Sequence, residues 1–269
     1  GGEAVMTMAD RVRKGLPLDD ILIIDCHNHI GLWKAFNVPY SSAEDMLMGM
    51  DRLGIDKVCV AAHASIGPNY RYGNDIVIDA VERYPDRFLG YVTVNPNYPE
   101  DMENELKRCL AINGFIGIKL HPECHGSAVD NINYNAAFEL ANEEKLPILI
   151  HIWGGEDVKA VDRLSGMYPD ARFIMGHAGG DVKAMGHALD VVNRRDNVYV
   201  DIVISRIYEG NIEWFVREAG SKRVLFGTDM PFLDPRPNFG RVAMADISDE
   251  EKKDIFGLNM KRLIEGRVR

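Results

Sequence analysis

Two histidines stand two residues apart in "IIDCHNHIG", residues 23–31, directly after aliphatic residues that favour a strand. Alternate side chains of a strand share a face, so His27 and His29 offer two imidazole nitrogens to one point. Further along the chain His63, Lys119, His121, His151, His177 and Asp229 each sit at the end of a short aliphatic run. Of the eight histidines, only His125 and His187 fall clearly outside this set. A single histidine at a strand end is ordinarily just hydrogen-bonded to backbone or water; the recurrence is what points to a metal. A first-row divalent ion such as Zn²⁺ takes neutral imidazole nitrogens and a carboxylate in a roughly tetrahedral shell, and a catalytic ion keeps one position open. His27, His29 and the Asp229 carboxylate are the expected donors.

These residues need a frame that brings distant segments together. Short aliphatic runs at residues 21–27, 57–63, 88–95, 114–121, 147–153, 172–178, 198–203 and 223–229 alternate with amphipathic segments such as residues 43–54 and 135–145. Strands that alternate with helices are parallel, because each helix is a crossover connection. Eight such units match a single (β/α)8 TIM-type barrel, a fold of about 250 residues. No GxGxxG or GxxxxGK phosphate loop follows the first strand, as an open nucleotide-binding sheet would have. Within 269 residues nothing marks a linker, so residues 21–269 read as one barrel and residues 1–20 as an N-terminal extension. In such barrels function gathers at the C-terminal ends of the strands, and the metal site is expected there.

The net charge of −10, with no basic cluster, argues against nucleic acid or an anionic membrane as partner and for a small-molecule substrate. No apolar stretch approaches the roughly 20 residues of a membrane span. Residues 1–20 mix charges with too short an apolar run for a signal peptide, so a cytoplasmic location is expected. The four cysteines show no CxxC spacing and read as reduced thiols. Whether the chain forms a homo-oligomer is left open.

With these residues in place, the chain resembles the amidohydrolase superfamily, and within it the amidohydrolase-related group that includes aminocarboxymuconate-semialdehyde decarboxylase and several lactonases. "DCHNH" resembles the group's first-strand HxH, "LIHIWGG" its fifth-strand histidine, "FIMGHAGG" its sixth-strand histidine and "VLFGTDMPF" its eighth-strand aspartate; "ISDEEKKDIFGLNMKRLI" is similar to its closing helix. The resemblance implies that His27, His29 and Asp229 bind the metal. It implies that His151 completes the shell in mononuclear members, leaving His177 as an acid/base or water-orienting group. In two-metal members His151 and His177 would hold the second ion, with Lys119 at a bridging position. "GIKLHPECHG" offers His121, Cys124 and His125 as well, more than the pattern requires. One ion is expected, zinc by default, with two left open.

The expected activity is hydrolysis of an amide, lactone or related bond in a small carboxylate-bearing substrate, with Asp229 moving the proton of a metal-activated water and His177 stabilising developing charge. The alternative is metal-dependent, non-oxidative decarboxylation of an unsaturated or aromatic acid, which the same ligands would serve. A more remote reading is a non-catalytic binding protein on this scaffold, whose signature would be a lost ligand; none is missing. His63, Arg206 and Arg236 follow strands 2, 7 and 8, where they could contact substrate, a guanidinium gripping a carboxylate bidentately. Asp201 reads as a satisfied interior carboxylate.

Overall fold

The computed structural model describes residues 6–204 and 208–267. Eight parallel strands follow one another round a single sheet in chain order: β1 (Ile24–Ile30), β2 (Lys57–Ala62), β3 (Phe88–Thr93), β4 (Phe115–Leu120), β5 (Pro147–His151), β6 (Arg172–Gly176), β7 (Val198–Asp201) and β8 (Val224–Leu225). This is the expected (β/α)8 barrel. Although β8 is short, the segment beyond it closes the ring against β1: the N–H groups of Cys26 and His29 donate to Phe226 O and Met230 O at 2.9 and 3.0 Å, and Asp229 N–H donates to His27 O at 2.9 Å.

Helix α1 (Met8–Arg13) precedes the barrel. The crossovers are α2 (Ala43–Leu53), α3 (His63–Ile66) with α4 (Tyr70–Arg83), α5 (Pro99–Leu110), α6 (Asn135–Glu144), α7 (Gly155–Met167), α8 (Val182–Arg194) and α9 (Asn211–Ala219). After β8 come α10 (Pro235–Met244), α11 (Asp249–Lys253) and α12 (Asn259–Leu263). Local chemistry sets their ends. Ser42 and Asp45 form a reciprocal capping box at the start of α2, which Gly54 ends in the left-handed region at φ 70°. The repeated "YPD" junctions behave alike, with Tyr84 and Tyr168 leaving α4 and α7 in non-helical conformations, ψ 59° and 70°, because the proline that follows disfavours the helical region. Among the described residues no helix is long and apolar enough to cross a membrane, and all four cysteines are free.

The core has two layers. Outer-facing strand residues such as Val58, Ile118, Ile148 and Phe173 pack against the helices, while Ile24, Cys26, Cys59, Leu89, Tyr91, Ile116, Leu149, Ile174 and Leu225 fill the barrel. Truncating a fully buried residue such as Phe173 to alanine would cost about 3–5 kcal/mol. With Ile24 and Cys26 pointing inward, strict alternation would turn His27 outward. The β1·β2 register shifts between Asp25 and Asn28, and this bulge puts His27 and His29 on the inner face instead.

Candidate metal centre

His27, His29 and Asp229 come together: one ligand atom from each lies within 4.8 Å of the others, and all three residues are buried. Asp229 Oδ1 is 3.3 Å from His29 Nε2 and 3.8 Å from His27 Nε2. Both Asp229 Oδ1 and His29 Nδ1 are buried without a hydrogen-bond partner, an arrangement that is costly unless something else satisfies them. Burial, then the nearby Lys119 charge, holds the His27 and His29 pKa values far below the usual imidazole range, so both rings are neutral, the form that binds a metal. The donor set fits a divalent cation.

Two buried carboxylates set this geometry. Asp201 Oδ2 accepts from His27 Nδ1 at 2.8 Å, while its Oδ1 accepts the backbone N–H groups of His177 and Val203 at 2.8 and 3.0 Å. That turns the lone pair of His27 Nε2 toward the cluster, where a bound metal would replace its contact with Lys119. Burial raises the Asp201 pKa to about 6, against the pull of His177 and Lys119. Asp25 accepts from the N–H and hydroxyl of Thr228 at 3.1 and 2.5 Å and from His27 N–H at 3.3 Å, tying β1 to the segment that carries Asp229; burial raises its pKa to about 7. His177 and Asp229 both hold φ at 62°, a left-handed backbone that costs a non-glycine residue about 1–3 kcal/mol and recurs at functional sites.

Lys119 is fully buried, its Nζ 2.9 Å from His27 Nε2, and burial lowers its pKa despite the neighbouring Asp229 and Asp201. Burial likewise raises the Asp229 pKa, with Lys119 opposing. His151 is not drawn into the donor cluster. Its Nδ1 lies 3.0 Å from His177 Nε2, and its Nε2 lies 2.9 Å from Glu123 Oε2. His177 Nδ1 donates to Val203 O at 3.0 Å. A cavity of about 120 Å³ opens above the cluster, lined by His29, His121, His151, His177 and Asp229 with Trp33, Ile66, Trp153, Phe232 and Leu233.

Other candidates fall elsewhere. His63 bonds Gly31 O through Nδ1 at 2.7 Å and backs the cavity wall, sandwiched between His29 and Trp33. Arg236 is exposed, paired with Asp234 at 2.9 Å, and borders a separate groove outside the cavity. Arg206 lies outside the described residues. His121 sits beside Cys124, Nε2 to Sγ 3.7 Å. Sequence reasoning missed Glu123, Trp33 and Trp153; only Trp153 left a signal, standing two residues after His151 and so on the same side of the strand end.

A family profile described as "Amidohydrolase" matches residues 24–265. The chain belongs to the amidohydrolase family. Over 243 residues, 71% of this chain and 69% of the relative, it is 26% identical to a 2-keto-4-carboxy-3-hexenedioate hydratase of Sphingobium sp.. Over 247 residues, 72% and 75% of the two chains, it is 25% identical to a gamma-resorcylate decarboxylase of Rhodococcus jostii. A 2-amino-3-carboxymuconate-6-semialdehyde decarboxylase of Dictyostelium discoideum is 22% identical over 233 residues, 70% and 64% of the two chains. The solved 2,6-dihydroxybenzoate decarboxylase from Rhizobium superposes with a TM-score of 0.76 at 17% identity, over 91% of this chain and 99% of that one; at that identity the likeness speaks for the fold alone.

These relatives correct one expectation. Hydrolysis of an amide or lactone was the expected activity, with decarboxylation as the alternative, yet the relatives are decarboxylases and a hydratase, which favour that alternative. The error has a plain cause: the ligands are common to several reactions, and the family name describes only some of its members' chemistry.

Proposed function

We propose that the chain is a metal-dependent, non-oxidative decarboxylase of a small unsaturated or aromatic carboxylic acid. The observation that carries this reading is the His27, His29 and Asp229 cluster at the floor of a small cavity walled by aromatic rings. Names of relatives at 25% and 22% identity agree with it.

His27, His29 and Asp229 would hold the metal, while His151, engaged with His177 and Glu123, stands outside the cluster. Zinc suits the imidazole-rich set, and one ion suits a single compact cluster. When bound, the ion supplies Lewis acidity, polarising a substrate oxygen. Decarboxylation needs a proton delivered to the carbon bearing the carboxylate, the new C–H bond taking its electron pair from the conjugated π system; the C–C bond then breaks, its electron pair restores that π bond, and CO2 leaves. Asp229 is our candidate proton carrier, because it faces the cavity and burial raises its affinity for a proton. His177 is the second: with Nδ1 donating to Val203 O, its Nε2 is the atom that accepts or passes a proton. Lys119 is the buried cation beside the cluster and would favour an anionic substrate.

The hydratase relative supports a second reading, addition of water across a conjugated C=C bond. Incubating zinc-loaded protein with a panel of hydroxybenzoates and unsaturated diacids separates the two. CO2 release in step with loss of the acid is the expected result. Loss of conjugated absorbance without CO2 would favour hydration, and neither across the panel would overturn both.

A further inference from the structure

Two ring stacks rise from well-separated parts of the barrel and flank the cavity. After β1 and β2, His29, His63 and Trp33 stack in sequence, with centroids 5.2 and 5.0 Å apart and interplanar angles of 26° and 7°. After β4 and β5, His121, His151 and Trp153 do the same, at 3.9 and 6.2 Å and 15° and 11°. Each stack ends in a tryptophan that lines the cavity.

Both indoles are held in place by their neighbours. Trp33 packs on Phe36 at 4.9 Å and edge-to-face on Phe232 at 5.0 Å. Trp153 lies so close over Gly180 that a Cβ there would sit 2.5 Å from its Cδ2. Its backbone N–H donates to Asp157 at 3.0 Å, and the next residue, Gly154, bonds Gly179 O at 2.9 Å. Trp153 remains 41% exposed, so part of this large apolar ring is left uncovered beside the cavity.

We propose that Trp33 and Trp153 are the specificity-determining residues of this cavity, selecting a flat, conjugated acid over a puckered one of equal carbon count. The inference rests on the decarboxylase reading for the reaction but concerns only which shape binds. Aromatic faces and edges gain contact and quadrupole complementarity with a planar π system that a saturated ring cannot match. A cavity of about 120 Å³ has little room for the thicker chair form.

The test is calorimetric titration of the zinc-loaded full chain with benzoate and with cyclohexanecarboxylate, neither of which needs to react. Benzoate should bind about 10-fold more tightly. In Trp33→Leu and in Trp153→Leu that preference should fall below about 3-fold, and the corresponding Phe variants should restore most of it. Equal binding of the two acids, no binding of either, or a preference that survives both Leu variants would overturn the proposal. A retained preference with no CO2 release from any hydroxybenzoate would support it while overturning the decarboxylase reading, so the two are read separately.

Discussion

Asp201 Oδ2 lies 2.8 Å from His27 Nδ1, with both side chains buried. A carboxylate accepts, so the imidazole carries its proton on Nδ1 and turns Nε2 toward Asp229 and Lys119. Asp201→Asn would remove the anionic acceptor and release the ring to the other tautomer. Zinc affinity, measured by competition with a chelating dye, should fall about 10- to 100-fold. Unchanged affinity would leave Asp201 a purely structural residue.

Asp229→Asn should reduce kcat by about 100-fold or more while weakening benzoate binding far less, because an amide cannot carry the proton. Comparable kcat in the two proteins would remove Asp229 from proton transfer.

Lys119 distinguishes one metal from two. With a single ion on His27 Nε2, the Lys119 ammonium gives up its 2.9 Å contact with that nitrogen and is left to pair with an acidic substrate. Elemental analysis should therefore find one zinc per chain with or without added bicarbonate. Two ions with bicarbonate, falling to one in Lys119→Met and kept in Lys119→Glu, would instead mean a carboxylated lysine bridging a pair.

The alternation of strand and helix was legible because hydrophobic periodicity is local, and the HxH pair was legible because two residues of one strand keep their relation wherever the strand goes. The bulge that turns His27 inward was not, since it depends on how β1 registers against β2. Nor was the pairing of His151, at the end of β5, with Glu123 and His177, made between segments with no shared period. Asp201 was read as a satisfied interior carboxylate, which it is; that one of its partners is His27 needed the closed barrel. Hydrolysis was expected because ligand types record the metal, while the reaction depends on the walls around it.

Stability of the metal-free protein should depend on pH in a defined direction. Burial lowers the pKa values of His27, His29, His63, His121, His151 and His177, with His63 brought down to about 4, so below about pH 6.5 the unfolded chain takes up protons that the native chain refuses. That contribution is present above the unfolded value and is lost as pH falls. Asp25 and Asp229, raised to about 7, and Asp201, raised to about 6, work in the opposite sense, because the native chain holds their protons. The histidines outnumber them. Unfolding free energies from urea titrations in chelator should therefore drop between pH 7 and pH 5.5, by about 1.4 kcal/mol per pH unit for each net proton, and the midpoints with them. A midpoint that rises over this range would mean the aspartates dominate.

The most direct test of the account is the mass of the product formed from a turned-over aromatic or unsaturated acid, with and without prior removal of metal. Decarboxylation predicts a product lighter by CO2, carrying one deuterium at the former carboxylate carbon when the reaction runs in D2O, and no product after chelation until zinc is restored. A product heavier by one water, or turnover that persists in the stripped protein, would contradict it.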